Sequence, residues 1–162
     1  MAEREGVRQF KGRPILPGDV VGEALVTHLG FNAYASFYDC LSGNVDTAVC
    51  ADAGNDELYG RRLDSKIICL PQTIGSTSAG AVWQRVADLG LAPKAMLFSK
   101  PIDSLAAGGL IVADVWTNVR IVTVDQLGED FLIAVESGGR VHVGEDGTVV
   151  VRRSGEGEHE IK

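Results

Sequence analysis

The sequence predicts a β-dominated α/β domain with one principal helix, and three features support this class. Short apolar runs rich in β-branched residues recur along the chain. A single strand–turn–helix unit occupies the centre, over residues 66–89. Beyond residue 119, short alternating segments are separated by glycine-containing connectors that are typical of β-hairpins.

The composition is that of a globular protein with an acidic surface. The chain has 162 residues, of which 45% are hydrophobic and 23% charged, so one domain can bury a substantial core. A net charge of −7 without a lysine or arginine cluster argues against nucleic-acid binding. Because no apolar run approaches 18 residues and the first 15 residues are charged, we expect a cytoplasmic protein without a membrane association.

The first third of the chain contains one clear strand. Residues 1–12 are polar and expected to be loose until Phe10, and residues 12–18 form an entry rich in turn-forming residues. Alternating apolar residues predict a strand over 19–27. Residues 30–65 are irregular, and we interpret them as a loop that lies over a binding surface.

The central unit is the best-defined part of the sequence. A strand over Ile67–Leu70 stops at Pro71, and a polar turn containing Gly75 and Ser76 follows. Apolar residues spaced by three and four predict a helix over 77–89, with Ser76 or Thr77 as its N-cap and Gly90 as its C-terminal stop.

The remaining elements are shorter. We expect a strand over Ala95–Phe98 and a helical turn over 104–107 that ends at Gly108 and Gly109. Further strands are predicted over 119–124, 131–135, 140–143 and 148–152. This pattern divides the chain into a main unit (1–125), a C-terminal β-hairpin extension of the same domain (126–153) and a disordered acidic tail (154–162).

The turn before the predicted helix is the main candidate site. Backbone N–H groups at a helix start can hold a carboxylate or a phosphate. Ser76 therefore has two interpretations: an N-cap, or a hydroxyl that faces a ligand while the amides of Thr77 and Ser78 bind its anionic group. Residues 75–80 have the outline of a phosphate loop but lack its lysine, which argues against nucleotide binding.

Other candidate residues carry weaker signals. His28 and His142 are interpreted as surface residues, and the lack of a GxSxG elbow argues against a serine hydrolase. Arg13 is either a surface charge or a group that orients a carboxylate.

Cysteines and acidic residues give no metal site in this chain. The spacing of the cysteines indicates neither a disulfide framework nor a zinc or iron–sulfur site, and the acidic residues lack the spacing of a calcium loop. We interpret the acidic residues as solvated turn residues. The cysteines are Cys40, Cys50 and Cys69, and the acidic residues are Asp39, Asp46, Asp52 and Asp56.

Several segments, taken in order, resemble the small, swivel-type subunit of aconitase X, a DUF126-like family. They are FKGRPILPG at 10–18, GEALVT at 22–27, LYG at 58–60, the Leu70-Pro71 to Gly75-Ser76-Thr77 turn, APKA at 92–95 and AAGGLIVA at 106–113. The resemblance covers roughly residues 8–117. It implies a swivelling β/β/α domain.

The resemblance also implies a function. Members of this family are hydro-lyases, including cis-3-hydroxy-L-proline dehydratases and phosphomevalonate dehydratases. Their small subunit pairs with a large subunit that carries an iron–sulfur cluster, and the swivel domain supplies a serine base. The resemblance assigns that role to Ser76, with Gly75 and Thr77 shaping the turn. Together with the arguments from the residues above, this makes Gly75, Thr77, Ser78 and Arg13 the expected substrate-binding residues, and we expect no cofactor in this chain.

An alternative stays open, namely a non-catalytic anion-binding or regulatory swivel module. Family members commonly have an arginine shortly before the Gly-Ser pair, where this chain has Gln72, Thr73 and Ile74. A serine base needs positive potential around it, because its hydroxyl is otherwise too weakly acidic.

Overall fold

The computed structural model describes residues 6–75 and 79–153, which form ten strands and four α-helices. The strands are β1 (Val7–Lys11), β2 (Arg13–Leu16), β3 (Val20–Val26), β4 (Phe31–Asn32), β5 (Ile67–Leu70), β6 (Thr73–Ile74), β7 (Ala95–Phe98), β8 (Val122–Asp125), β9 (Arg140–Val143) and β10 (Thr148–Arg152). The helices are α1 (Ala33–Phe37), α2 (Ala79–Asp88), α3 (Ser104–Thr117) and α4 (Glu129–Ala134), and a 3₁₀ turn spans Tyr38–Cys40.

Eight strands form one sheet in the order β1-β10-β9-β3-β5-β7-β8-β2. The four strands β3, β5, β7 and β8 are parallel, whereas β1, β10, β9 and β2 join through antiparallel pairs. Each parallel connection after β5 carries a helix, α2 and then α3, as parallel strands require a crossover. The fold is thus the β-dominated α/β class expected.

One bent segment spans both outer positions of this sheet. β1 pairs with β10 and β2 pairs with β8, although only Gly12 separates the two strands. A Cβ on Gly12 would lie 2.5 Å from the carbonyl oxygen of Asp125, so only glycine fits. Its N–H donates to the carbonyl of Gly147 at 3.0 Å. The sheet therefore curls until its two ends share one segment, which we call the Gly12 seam.

The two faces of the sheet bury different cores. Along β5, Ile68 and Leu70 face a cluster that includes Trp83 of α2, and Ile67 and Cys69 face the inside of the curled sheet. The strand alternation places successive side chains on opposite faces, and both faces are apolar because helices cover one and the sheet itself encloses the other.

The central unit agrees with the sequence prediction. β5 has the expected bounds, and α2 ends at Asp88 with Gly90 at φ +71° as its stop. The N-cap expected at Ser76 or Thr77 lies outside the described residues. β7, β9 and β10 also have the expected bounds.

Several expected elements were wrong. Residues 7–16 are not loose or turn-like, because they form β1 and β2 against strands distant in sequence. The strand expected over 119–124 lies over Val122–Asp125, and the strand expected over 131–135 is α4.

The loop expected over 30–65 contains β4, α1 and the 3₁₀ turn, and the helical turn expected over 104–107 is the first part of the 14-residue helix α3. α3 is thus a second long helix, which packs against α2. The pair Gly108 and Gly109, which predicted the end of a helical turn, lies inside this helix.

Candidate functional site at the carboxyl edge of the parallel strands

The parallel strands bring several polar side chains to one edge of the sheet. The carboxyl ends of β3, β5, β7 and β8 lie side by side, because these strands are parallel neighbours. In open α/β sheets ligands bind in the crevice beyond such ends. We call this region the carboxyl edge.

The Gly75 turn leaves β5 at this edge. β6 pairs in parallel with β4, which places Ile74 beside Asn32. Gly75 has φ +105°, and a Cβ there would lie 2.7 Å from the Asn32 side chain, so the position requires glycine. The side-chain oxygen Oδ1 of Asn32 in turn accepts a hydrogen bond from the N–H of Ala35 and caps α1.

The residues expected to carry the chemistry directly follow Gly75. Ser76, Thr77 and Ser78 lie outside the described residues, and α2 begins at Ala79. The structure therefore positions the turn between β5 and α2. The base and anion-binding roles of these three residues stay predictions.

A second helix begins beside this turn. Asp103 caps α3 by accepting a hydrogen bond from the N–H of Ala106 at 2.9 Å, and its other oxygen accepts one from the Thr73 hydroxyl. Burial opposes ionisation of Asp103, but these hydrogen bonds outweigh it and lower the pKa of its carboxyl. The turn and the start of α3 are thus tied together by an ionised carboxylate.

Arg13 reaches the same edge but is engaged with a buried acid. Its Nε and Nη2 atoms donate to the two oxygens of Asp125 at 3.0 and 2.8 Å. Asp125, fully buried at the end of β8, also accepts from the N–H of Ile102 at 2.8 Å. The side-chain hydrogen bond and the charge of Asp125 raise the pKa of Arg13. The role of Arg13 toward a substrate stays a prediction.

A histidine–carboxylate pair follows β3 at this edge. His28 Nδ1 lies 2.8 Å from Glu57 Oε2, and the His28 N–H donates to Glu57 Oε1 at 2.7 Å. The buried Thr27 hydroxyl donates to the same Glu57 oxygen at 3.0 Å, and the Asn55 amide donates to Thr27. The sequence indicated His28 only as a surface residue. Its place directly after a strand was the available signal.

A groove lies beside α1, between that helix and the segment 49–60. It has a volume of about 590 Å³ and exposes Tyr34, Tyr38 and Tyr59 together with Asp52. The aromatic rings give this groove an apolar wall next to the β4–β6 pair that supports the Gly75 turn.

The described residues offer no evident metal ligand set. Residues 6–75 and 79–153 contain no group of three or more His, Cys, Asp or Glu side chains placed to hold a metal ion. Cys40, Cys50 and Cys69 are buried, and burial raises the pKa of each thiol, which disfavours the thiolate that metals bind. Across the same ranges, no helix has both the length and the apolar character needed to cross a membrane.

Two similar proteins match the sequence of this chain along nearly their whole length. The phosphomevalonate dehydratase small subunit of Archaeoglobus fulgidus is 31% identical over 138 residues, which are 85% of this chain and 93% of that protein. The corresponding small subunit of Aeropyrum pernix is 29% identical over 150 residues, 93% of this chain and 98% of that protein.

Solved structures agree. The crystal structure of Thermococcus kodakaraensis aconitase X in its holo-form has a TM-score of 0.71 and 26% identity over 90% of this chain and 99% of that chain. The solution NMR structure of a UPF0107 protein gives the same TM-score and identity, over 90% of this chain and 100% of that one. The family model described as the aconitase X swivel domain matches residues 9–151, which extends the expected resemblance through the C-terminal strands. The chain therefore belongs to the aconitase X swivel domain family.

Proposed function

We propose that this chain is the small, swivel subunit of an aconitase X-type hydro-lyase that dehydrates a small hydroxy-carboxylate. The observation that carries the proposal is the Gly75 turn, which is positioned at the carboxyl edge of a swivel-family fold. Relatives named as phosphomevalonate dehydratase small subunits support a phosphomevalonate-like substrate. A cis-3-hydroxy-L-proline-like substrate is the other acid of this class.

Ser76 is the proposed base. Dehydration removes a weakly acidic C–H proton and expels a hydroxyl group from the neighbouring carbon. Gly75 turns the chain directly before Ser76, and α2 begins at Ala79. The start of a helix carries a partial positive charge that favours an anion, which supports an anion site at this turn. Thr77 and Ser78 would bind the substrate through their backbone amides.

A partner subunit is part of the proposal. The relatives' names describe small subunits, and α3 exposes a stripe of apolar side chains that begins at the carboxyl edge. Contiguous exposed apolar surface of this kind marks interaction sites. The stripe contains Leu105, Val112, Val115 and Trp116.

The iron–sulfur cluster is assigned to that partner, because the described part of this chain holds only buried, high-pKa thiols and no donor cluster. When bound there, such a cluster supplies Lewis acidity toward the substrate hydroxyl. This chain contributes the Gly75 turn and closes the cleft against water.

The test separates a base from a helix cap. The chain is produced with its large subunit, and dehydration of phosphomevalonate and of cis-3-hydroxy-L-proline is measured for Ser76→Ala, Ser76→Asn and Ser76→Thr. A base role predicts a loss of kcat of about 10²–10⁴-fold in the Ala and Asn variants and retained activity in Thr.

Asn is the matched control, because it caps a helix as well as serine but cannot act as an alkoxide base. Full activity of Ser76→Asn would reduce Ser76 to a cap and remove the catalytic assignment.

The second candidate is the non-catalytic anion-binding or regulatory module. The pairing of Thr73 with Asp103 favours it, because a carboxylate from the start of α3 lies against the segment in which family members commonly have an arginine, and Arg13 is engaged with Asp125. This candidate predicts that the assembled complex binds these acids without turnover, which calorimetry and the same assay would distinguish.

A further inference from the structure

We propose that His28, held by Glu57, is a proton-transfer residue of the same site and protonates the hydroxyl group that leaves the substrate. The inference rests on the proposed hydro-lyase function. It assigns a second catalytic side chain to this subunit, in addition to Ser76.

Glu57 holds the imidazole of His28 at its Nδ1 atom. Burial opposes ionisation of Glu57, but hydrogen bonds from the His28 side chain and backbone and from Thr27 outweigh it and lower the pKa of this carboxyl. An ionised carboxylate can only accept, so Nδ1 of His28 carries the hydrogen that joins it to Glu57 at 2.8 Å. Nε2 has no hydrogen-bond partner among residues 6–75 and 79–153 and is left to exchange a proton with a ligand.

The position is next to the Gly75 turn. The segment from His28 to Phe31 runs beside the segment that leads to Gly75, because the N–H of Phe31 donates to the carbonyl of Gln72 at 2.9 Å. A Cβ on Gly30 would lie 2.5 Å from the Ile74 side chain, so these two segments are in close contact. A substrate held at the turn would thus lie on the same edge as His28.

A purely structural role accounts for Glu57 but not for the imidazole of His28. Glu57 ties its loop to β3 through the N–H of His28 and the buried hydroxyl of Thr27, and neither bond needs an imidazole. The His28 side chain is 56% exposed, and an exposed ion pair contributes little to stability. The buried contacts of Thr27 and Asn55 instead hold Glu57, and Glu57 orients an accessible ring.

The step balances in atoms and charge. The base takes the C–H proton, and the electron pair of that bond becomes the new C=C bond as the C–O bond breaks. The leaving oxygen takes the C–O pair and the proton from Nε2 of the imidazolium, which forms water. The neutral imidazole then regains a proton from solvent, because the ring is more than half exposed. Glu57 is the one charged group within ion-pair distance of His28 among the described residues.

The experiment uses the complex with the large subunit and the two acids named above as probes. His28→Ala should lower kcat by about 10²-fold, and added imidazole should restore part of it. His28→Gln should lower kcat to the same extent, and added imidazole should again restore part of it. Glu57→Gln should show a smaller loss, since the ring then lacks its fixed orientation.

His142→Ala is the matched control. His142 pairs with Asp19 at 3.0 Å and is 48% exposed, but it lies beside Val21 near the amino end of β3, away from the carboxyl edge. This variant should keep the wild-type kcat with and without imidazole.

The outcomes distinguish a failure of the His28 role from a failure of the proposed hydro-lyase function. Wild-type activity in His28→Ala and His28→Gln, or a loss that imidazole does not reverse and that follows Tm alone, would overturn the role of His28 while leaving the hydro-lyase intact. An inactive wild-type complex would instead remove the proposed function, and this role with it.

Discussion

At the scale of single residues, Asp103 connects two segments that frame the site. One oxygen caps α3 and the other accepts the Thr73 hydroxyl, so the same carboxylate holds the start of a helix and the strand before Gly75. Both bonds favour the ionised carboxyl, as the lowered pKa of Asp103 indicates. The protonation state of Asp103 is therefore linked to the order of this turn.

The first prediction concerns stability in acid. Because the pKa of Asp103 is lower in the folded state than its unfolded value of about 3.9, its contribution is complete above that value and is lost as the pH falls through the folded pKa. Asp103→Asn keeps a capping side chain but cannot titrate, so its unfolding free energy should fall less steeply below about pH 4. Urea unfolding between pH 3 and 7 measures this.

Thr73→Val provides an independent check, since it removes the hydroxyl donor without changing a charge. It should raise the pKa of Asp103 toward its unfolded value and flatten the same part of the curve. Identical acid slopes in all three proteins would contradict the linkage.

At this scale the sequence predicts the Gly75 turn but not its surroundings. Gly75 and the helix after it are indicated by turn-forming residues and apolar spacing in the local sequence, whereas the partners of Thr73 and His28 lie 30 and 29 residues away along the chain. Such pairs arise from the parallel order of the strands, which no local pattern encodes.

At the scale of elements, α2 and α3 pack closely through two glycines. A Cβ on Gly109 would lie 2.7 Å from the Cα of Gly80 and 2.9 Å from the Trp83 ring. Gly109 is buried, but its neighbour Gly108 is exposed, and a Cβ added there would meet no atom within 4 Å. The glycine pair that suggested the end of a helix is instead a contact point inside one.

The second prediction compares these adjacent glycines. Gly109→Ala should destabilise the protein by about 1–3 kcal/mol, because the helix backbones have to separate. Gly108→Ala should be neutral or stabilising by up to about 1 kcal/mol, because alanine favours the helix and nothing obstructs it. Thermal or urea unfolding of both variants measures the difference, and equal effects would contradict the close contact.

Two elements show why short patterns mislead. The apolar run Phe131 to Val135 fits a strand or a helix equally by length, and it becomes α4 because Phe131, Leu132 and Val135 fill the interior of the curled sheet. β1 alternates poorly, since several of its side chains are exposed, and it is a strand because β10 pairs with it.

At the scale of the whole molecule, the apolar stripe of α3 runs from the carboxyl edge along the outer face of the helix. Leu105 is 54% exposed in the first turn beside Asp103, and Trp116 is 73% exposed in the last. A partner that covers the proposed site would contact Leu105 first. This arrangement agrees with a subunit that is completed by another chain.

The third prediction tests that surface. Leu105→Glu should weaken association with the large subunit by about tenfold or more, because a charge would replace an apolar contact. Val21→Glu is the control, since Val21 is also exposed but lies at the amino end of β3. Both variants should keep the Tm of the isolated chain. Equal affinity in the two would place the interface elsewhere.

The Gly12 seam sets an order on folding. Residues 7–16 leave the ribosome long before residues 148–152, yet they supply the partner for both β10 and β8. Until β8 and β10 have been synthesised, β1 and β2 lack their partner strands. Unpaired strand edges of this kind favour association with other molecules. Closure through contacts so distant in sequence is slow, so one ten-residue segment governs both the speed of maturation and the period of exposure to aggregation.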